Sequence, residues 1–254
     1  MARTTSPPQN PVTGTALAVR RRRPFLLDLY STAVGKKYAM AISGIAMMGF
    51  VFFHMVGNLK MYLGAADLDH YAEFLRELLY PIAPKGSVLW ILRGGLIAML
   101  ILHLHAAWSL TQLNRHARPV KYQSARDYQA ATFASRTMRW TGIIVLSFLI
   151  WHILDLTIGV VNTTGTSGEF VRGAVYNNLV RSLERWPVSV FYVVANILLG
   201  IHLFHGVWSI FQSLGWNNPR FNKWRRGFAT AFATVVVVGN VSFPIAVLAG
   251  IVHV

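Results

Sequence analysis

Five long apolar stretches constrain the fold of this chain more than any other feature of its sequence. They lie near 38–59, 88–113, 140–161, 188–213 and 228–252. Each has roughly 20 residues or more, enough for a helix to cross about 30 Å of hydrocarbon at about 1.5 Å per residue. Only 13% of the 254 residues are charged, whereas 54% are hydrophobic. The sequence therefore predicts an all-α, multi-pass membrane protein with five transmembrane helices and its termini on opposite sides.

The positive charge of the chain is concentrated at alternate ends of these stretches. One side collects Arg20 to Arg23, Lys36, Lys37, Arg115, Arg118, Lys121, Arg126, Arg136, Arg139, Arg220, Lys223, Arg225 and Arg226. The loops on the other side mix fewer cations with acidic residues. By the positive-inside rule, we expect a cytoplasmic N-terminus in a bacterial inner membrane. The formal charge of +15 is thus explained by topology, and we expect no nucleic-acid binding.

The chain divides into an N-terminal segment and one membrane domain. We expect residues 1–30 to be a disordered, cytoplasmic segment and residues 31–254 to form the five-helix domain, with no repeat strong enough to support an argument. Absence of cysteine excludes disulfides and any thiolate ligand from this chain itself.

Two loops on the less basic side differ in pattern. In the loop 60–87, apolar residues recur at helical spacing, namely Leu68, Tyr71, Leu75 and Leu79. This favours an amphipathic helix on the outer surface, the alternative being a loosely ordered loop. The loop 161–187 is rich in Gly, Thr and Asn, and Pro187 is expected to begin the fourth span.

Histidines lie well inside four of the five apolar stretches. His103 and His202 are about 14 and 15 Å from the inner edge of their spans, at about 1.5 Å per residue. His54 and His152 are about 24 and 18 Å from the same edge. Because an ionisable side chain at such depth usually has a functional partner, we expect an inner pair and an outer pair.

Two facing imidazoles in a helix bundle can supply the two axial ligands of a haem iron. Small residues flank the histidines and would leave room for a flat macrocycle, among them Gly49, Gly57, Ala106, Ala107, Gly200 and Gly206. The alternative is that each histidine only hydrogen-bonds a neighbouring helix. Four histidines at matched depths favour ligation of iron by His54, His103, His152 and His202.

Doubled histidines leave the inner pair ambiguous. His103 and His105 point about 200° apart around their helix, so only one can face a given cofactor. His202 and His205 share a face. We prefer His103 because its depth matches that of His202, and His105 and His205 remain alternative ligands.

Several segments of the chain resemble the membrane-anchor cytochrome b subunit of succinate dehydrogenase, complex II, in its single-chain bacterial form. The segments are STAVGKK at 31–37, HMVGNLKMYLG at 54–64, the histidines and NRHARPVKY within 103–122, SRTMRW and WHILDLT within 135–157, and HLFHGVWSIFQSLGWNNP at 202–219. The resemblance covers nearly everything after residue 30. It implies five helices, two haems b, a quinone substrate, and docking of an iron–sulfur subunit and a flavoprotein on the cytoplasmic face, within a complex that could be a higher oligomer.

The resemblance implies an electron-transfer subunit that anchors the enzyme and serves only its quinone-reducing side. The chain itself carries no dinucleotide-binding fingerprint and hence no succinate site. If a partner subunit supplied cysteines, the same imidazoles could instead hold a [2Fe–2S] centre. A proton-conducting or transporter protein whose histidines titrate is the rival interpretation.

Five polar residues are candidates for supporting roles. His105, His205 and Ser209 are candidate quinone ligands, because they are polar and lie within the apolar stretches near the cytoplasmic side. Asp155 follows His152 by three residues, and we expect a proton relay, a histidine-orienting role or a plain interhelical hydrogen bond. Arg93 could bind a haem propionate or extend to the outer interface.

Overall fold

The computed structural model describes residues 24–117, 133–162, 170–216 and 218–254, and helices are the only regular secondary structure in these ranges. The α-helices are α1 Phe25–Ser31, α2 Ala33–Asn58, α3 Ala65–Glu77, α4 Ser87–His116, α5 Phe133–His152, α6 Val175–Glu184, α7 Trp186–Ser213 and α8 Asn222–Leu248. Short 3₁₀ segments cover Leu59–Leu63 and Pro219–Phe221, and a π-helix, Ile153–Ile158, continues α5.

Five helices within the described residues are long and apolar enough to cross a membrane, which confirms the predicted number of spans. They are α2, α4, α5 with its π-helical end, α7 and α8. Pro187 lies in the first turn of α7, as the sequence predicts. Observed boundaries differ from the predicted ones by several residues, because polar residues such as Lys36 and Lys37 are accommodated in the first turns of α2.

Helices α2 and α7 form the centre of the bundle. Helix α7 packs against α8, α5 and α2, whereas α4 packs mainly against α2. Helix α4 is accordingly the least buried of the five, and Trp90, Ile91 and Trp108 on its surface are exposed. The end of the bundle that carries Arg115, Arg139 and Arg226 is called the basic end below, and the other the opposite end.

Two shorter helices close the opposite end. Helix α3 confirms the amphipathic helix predicted for the loop 60–87, although it stops at Glu77, so Leu79 lies outside it. Its Leu68 is buried with Met61 against α6. The carboxylate Oδ1 of Asp69 accepts the N–H of Tyr176 in the first turn of α6 at 2.9 Å. The two helices are thereby joined by an apolar contact and a helix-terminus hydrogen bond.

Helix α6 corrects the prediction of a loop at 161–187. Its buried side chains Tyr176, Val180 and Leu183 recur at i, i+4 and i+7, which is helical spacing. This helical pattern is short, since the helix has ten residues. The Gly- and Thr-rich sequence before the helix made the whole segment resemble a loop. The second half of this loop is therefore a packed part of the fold.

The N-terminal segment is helical where the structure describes it. Phe25–Ser31 form α1, whereas the sequence predicts a disordered segment over residues 1–30, of which residues 1–23 lie outside the described ranges. The hydroxyl of Thr32 caps α2 by accepting the N–H of Gly35 at 2.9 Å. Gly35 itself touches α1, where any Cβ would collide with the carbonyl of Leu29.

A tight glycine contact between α7 and α8 gives a test of this packing. A Cβ on Gly200 would lie 2.2 Å from Cγ2 of Val237, a β-branched side chain that cannot rotate away freely. We expect Gly200→Ala to lower the free energy of unfolding by about 1–3 kcal/mol, as other overpacking substitutions do. Thermal unfolding in detergent would measure the loss.

The matched control is Gly94→Ala in α4, where a Cβ would meet nothing within 4 Å. This variant should be as stable as the wild type or slightly more so, because alanine favours the helix by about 0.5–1 kcal/mol. Equal stability of the two variants would contradict the close α7–α8 contact.

Candidate functional site: a pair of buried-helix histidines and its polar support

His54 of α2 and His152 of α5 face each other across the bundle. Their ring centroids are 5.9 Å apart and the ring planes are nearly perpendicular, at 87°. Two imidazoles that bind one metal through nitrogens at about 2 Å each would place their centroids about 6 Å apart. The contact agrees with the depth argument made from the sequence. The separation fits a shared metal, although ligation itself stays a prediction.

Hydrogen bonding leaves one nitrogen of His152 available. Nδ1 of His152 lies 3.3 Å from the hydroxyl of Tyr192, and that hydroxyl donates to Oδ2 of Asp155 at 2.9 Å. Because a tyrosine hydroxyl has a single proton, its oxygen accepts from Nδ1–H of His152. Nε2 of His152 therefore carries the lone pair, as a metal ligand requires.

Asp155 is fully buried and is surrounded by donors. Its Oδ1 accepts from Nη2 of Arg185 at 2.7 Å, and its Oδ2 accepts from the hydroxyl of Ser182 at 2.5 Å in addition to that of Tyr192. This carboxylate is thus paired and hydrogen-bonded, which is the condition for burying a charge. The geometry supports the histidine-orienting role among the alternatives considered for Asp155.

The π-helix that follows His152 places this carboxylate. Asp155 lies within Ile153–Ile158, where the wider turn departs from the α-helical spacing assumed from the sequence. Gly159 ends the π-helix with a φ of +86°, and a Cβ there would also collide with the ring of Phe170. Sequence reasoning missed the π-helix, Tyr192, Ser182 and the role of Arg185, which it treated only as a loop cation.

His103 and His202 lie in two similar environments nearer the basic end. Nδ1 of His103 is 3.2 Å from the hydroxyl of Ser43, and Nδ1 of His202 is 3.4 Å from that of Thr141. Both hydroxyls donate to backbone carbonyls of their own helix, so each oxygen can accept from an imidazole N–H. Nε2 is again the nitrogen with the lone pair.

Glycines let both imidazoles approach the facing helix. Cε1 of His103 would lie 3.7 Å from a Cβ on Gly44, and Cε1 of His202 would lie 3.5 Å from one on Gly142. The imidazole of His202 lies within electrostatic range of that of His103. This second pair is therefore close in space, without the direct ring contact that joins His54 and His152.

These contacts reveal an internal repeat that the sequence analysis did not use. The segment SGIAMMGFVFFH at 43–54 of α2 corresponds to TGIIVLSFLIWH at 141–152 of α5. Each begins with the hydroxyl and glycine that meet a histidine of the next long helix, and each ends with a histidine of the other pair. The four histidines are thus related by two similar halves of the bundle.

The alternative histidines fall in different places. His105 points away from His103, and its Nδ1 lies 2.5 Å from the hydroxyl of Tyr30 in α1, with the two rings stacked. Partial burial raises the pKa of the Tyr30 phenol above its usual value, so that hydroxyl stays protonated at neutral pH. His205 is half-buried and lies near His202, and Ser209 donates to the carbonyl of Gly206 at 2.9 Å. The three candidate quinone ligands therefore do not form one cluster.

Arg93 lies apart from the histidines at the opposite end. Its guanidinium is over the ring of Trp90 at 5.1 Å, beside a cavity of about 290 Å³ lined also by α3 residues. Lys85 borders the same cavity, and its pKa is raised by the hydrogen bond and negative charge of Glu77. The role of Arg93 as a propionate partner stays a prediction.

The fold and these pairs define a multi-pass membrane protein with two pairs of histidines inside the bundle. No group of three or more His, Asp or Glu side chains that could hold a metal ion is present in the described residues. A family model for the succinate dehydrogenase/fumarate reductase transmembrane subunit matches residues 109–241, just over half of the chain. The chain belongs to this family.

The family match covers only part of the site. His152 and His202 lie within the matched residues, whereas His54 and His103 lie before them. No curated protein and no solved structure matches the chain. The assignment of the first two histidines therefore depends on the geometry described above.

Removal of Arg185 would test the polar support of the outer pair. Arg185→Ala leaves the buried carboxylate of Asp155 without its counter-charge, and loss of one partner of a buried ion pair costs about 3–5 kcal/mol. We expect a large fall in thermal stability. Lys85→Ala breaks the exposed ion pair with Glu77 and should change stability little, because water already screens that pair. Comparable losses would contradict the buried network.

Proposed function

We propose that this chain anchors a succinate:quinone oxidoreductase and carries electrons from a partner iron–sulfur subunit to a membrane quinone. Membership of the transmembrane-subunit family supports the anchoring role. The observation that supports electron transfer is the contact of His54 with His152 at 5.9 Å, with Nε2 of His152 left as a lone-pair donor. A hydrogen-bonding role alone would not require two imidazoles to face each other.

We infer that these residues hold two haems b. His54 and His152 would hold one haem, and His103 and His202 would hold the other. In His103, His152 and His202, Nδ1 has a hydrogen-bond partner, so Nε2 would be the nitrogen that binds iron. Bound haem would supply one-electron transfer. The protein's part is to fix the tautomer and orientation of each imidazole, to separate the two layers and to keep water from the pairs.

The inner pair admits another iron cofactor. His205 lies near His202, so two imidazoles of α7 are available beside His103. A [2Fe–2S] centre with cysteines from a partner subunit would use such imidazoles, since this chain has no cysteine. Optical and magnetic spectra distinguish a haem from a cluster at this position.

The basic end is proposed to face the cytoplasm and the soluble subunits. Cations at the ends of α2, α4, α5 and α8 support this orientation through the positive-inside rule. The iron–sulfur subunit and, through it, the flavoprotein would dock there in a bacterial inner membrane, with lipid around the bundle and a higher oligomer possible.

Quinone is proposed to bind near the same end. The candidates for hydrogen bonds to its oxygens are His105, which already shares a short hydrogen bond with Tyr30, and the pair His205 and Ser209 on α7. Two electrons and two protons convert a quinone to a quinol, so a protonated phenol beside an imidazole is chemically suited to the task. Asp155 lies in the other layer, where a proton relay would serve the outer side.

Replacement of His54 tests the outer centre. His54→Ala should remove one low-spin haem and leave the inner centre, because the two centres use different imidazoles. Haem content and the optical difference spectrum of the purified complex measure this. His70→Ala is the matched control, since His70 lies in α3 outside the spans and should leave both centres in place.

Loss of both centres in a folded His54→Ala complex, or of neither, would reject the pairing of His54 with His152. A wild-type complex without haem or iron would reject the electron-transfer role itself and favour a transporter or proton channel that uses titrating histidines.

Replacement of His202 tests the path of the electrons. Electrons that arrive from the basic end meet the layer of His103 and His202 first. His202→Ala should abolish succinate-driven quinone reduction, while succinate oxidation with a soluble artificial acceptor persists, because the flavin chemistry belongs to another subunit. Parallel assays of the two activities would show the split.

The control for this variant is His253→Ala, whose side chain is exposed at the opposite end, and it should keep both activities. Quinone reduction at the wild-type rate in His202→Ala would refute the role of the inner layer. It would indicate a quinone so close to the partner's last cluster that the centres in this chain are bypassed.

A further inference from the structure

We propose that Tyr192 and Asp155 are positioning residues that lower the reduction potential of the outer redox centre through a hydrogen-bond chain to His152. The inference rests on the proposed function, because it assumes an iron centre held by His54 and His152. It concerns residues that neither the family match nor the sequence pattern assigns to a redox role.

The hydrogen-bond chain from His152 to Asp155 has a defined direction. Nδ1–H of His152 donates to the Tyr192 oxygen over 3.3 Å, and the Tyr192 hydroxyl donates to Oδ2 of Asp155 over 2.9 Å. The protons of both hydrogen bonds point toward the carboxylate of Asp155. The imidazole consequently gains negative character, and its Nε2 becomes a stronger electron donor to a bound iron.

Asp155 is held as a carboxylate by its surroundings. Three donors, from Arg185, Ser182 and Tyr192, point at its two oxygens, which leaves no acceptor for a carboxyl proton among these neighbours. The hydroxyl of Ser182 also accepts from Nη2 of Arg185 at 3.0 Å, so its own proton is directed to Asp155. The guanidinium binds Oδ1, whereas Tyr192 binds Oδ2, the oxygen that faces the histidine.

Burial gives this arrangement its strength. Asp155 and Ser182 are fully buried, and Tyr192 is 6% exposed, so water does not compete for the hydrogen bonds. Charge-assisted hydrogen bonds are roughly twice as strong as neutral ones, and low polarity strengthens them further. A stronger donor ligand stabilises iron(III) relative to iron(II) and thereby lowers the potential.

The inner pair lacks such a chain. Nδ1 of His103 and Nδ1 of His202 meet the hydroxyls of Ser43 and Thr141, and both hydroxyls end at uncharged backbone carbonyls. Within the described residues, the two otherwise similar halves of the bundle thus place a carboxylate behind His152 and not behind His103 or His202. The potential of the outer centre should therefore depend on Tyr192, and that of the inner centre should not.

The experiment is a redox titration of the purified complex carrying Tyr192→Phe, followed by optical spectra and by the magnetic resonance spectrum of the ferric centres. The ring still fills its site, but Nδ1–H of His152 loses its acceptor. We expect the ferric-to-ferrous equilibrium of the outer centre to shift toward the ferrous form by about tenfold, which raises its potential by about 59 mV for one electron. The inner centre should keep its wild-type potential.

Tyr176→Phe is the matched control. Tyr176 belongs to the same apolar cluster, is buried to a similar degree and donates to the carbonyl of His253 at 3.0 Å, without a hydrogen bond to any histidine side chain. It should lose similar stability and leave both potentials unchanged. Asp155→Asn is the second variant, and should raise the outer potential in the same direction if Tyr192→Phe fails to retain the centre.

The outcomes separate the two proposals. The absence of an outer iron centre from the wild-type complex overturns the proposed function before any variant is compared. An outer centre with an unchanged potential in Tyr192→Phe overturns the tuning role alone. An equal shift in Tyr176→Phe also overturns it, because the shift would then follow from loosened packing.

Discussion

The cost of placing polar groups in hydrocarbon determines how the interior of this bundle is arranged. Within the membrane no water can satisfy them, so each polar side chain must find its partners in the protein. Asp155 meets this requirement through Ser182, Arg185 and Tyr192, which come respectively from α6, the short link after it and α7. The same contacts fix the tautomer of His152, so the rule that stabilises the helices also leaves the lone pair of that imidazole on Nε2.

Much of the architecture could be read from the sequence because hydrophobic length is a strong signal. Five apolar stretches predict five spans, Pro187 marks the start of α7, and the amphipathic pattern around Leu68 predicts α3. The pairing of His54 with His152 followed from depth alone, since depth depends only on counting residues along rigid helices. These features depend on local spacing and tolerate errors of a few residues in helix boundaries.

The polar support of the site could not be read in the same way. It depends on a π-helix, which changes the face on which Asp155 lies, and on Arg185, whose partner is 30 residues earlier in the chain. Helix α6 was not predicted because ten residues give only a short apolar pattern. The internal repeat was equally difficult to recognise, because only a few positions of 43–54 and 141–152 are identical. The correspondence becomes clear in the structure, where Ser43 and Thr141 each lie beside a histidine.

The ion pair of Asp155 with Arg185 also has a consequence for the order in which the protein is made. Arg185 is synthesised 30 residues after Asp155, at the far side of α6, and Tyr192 follows later still. When the third span leaves the ribosome, its carboxyl group therefore has none of its final partners and must enter the bilayer uncharged or wait at the surface. The hydrogen bonds that join α5 to α6 and α7 through Asp155 can therefore form only after the start of α7 has been synthesised.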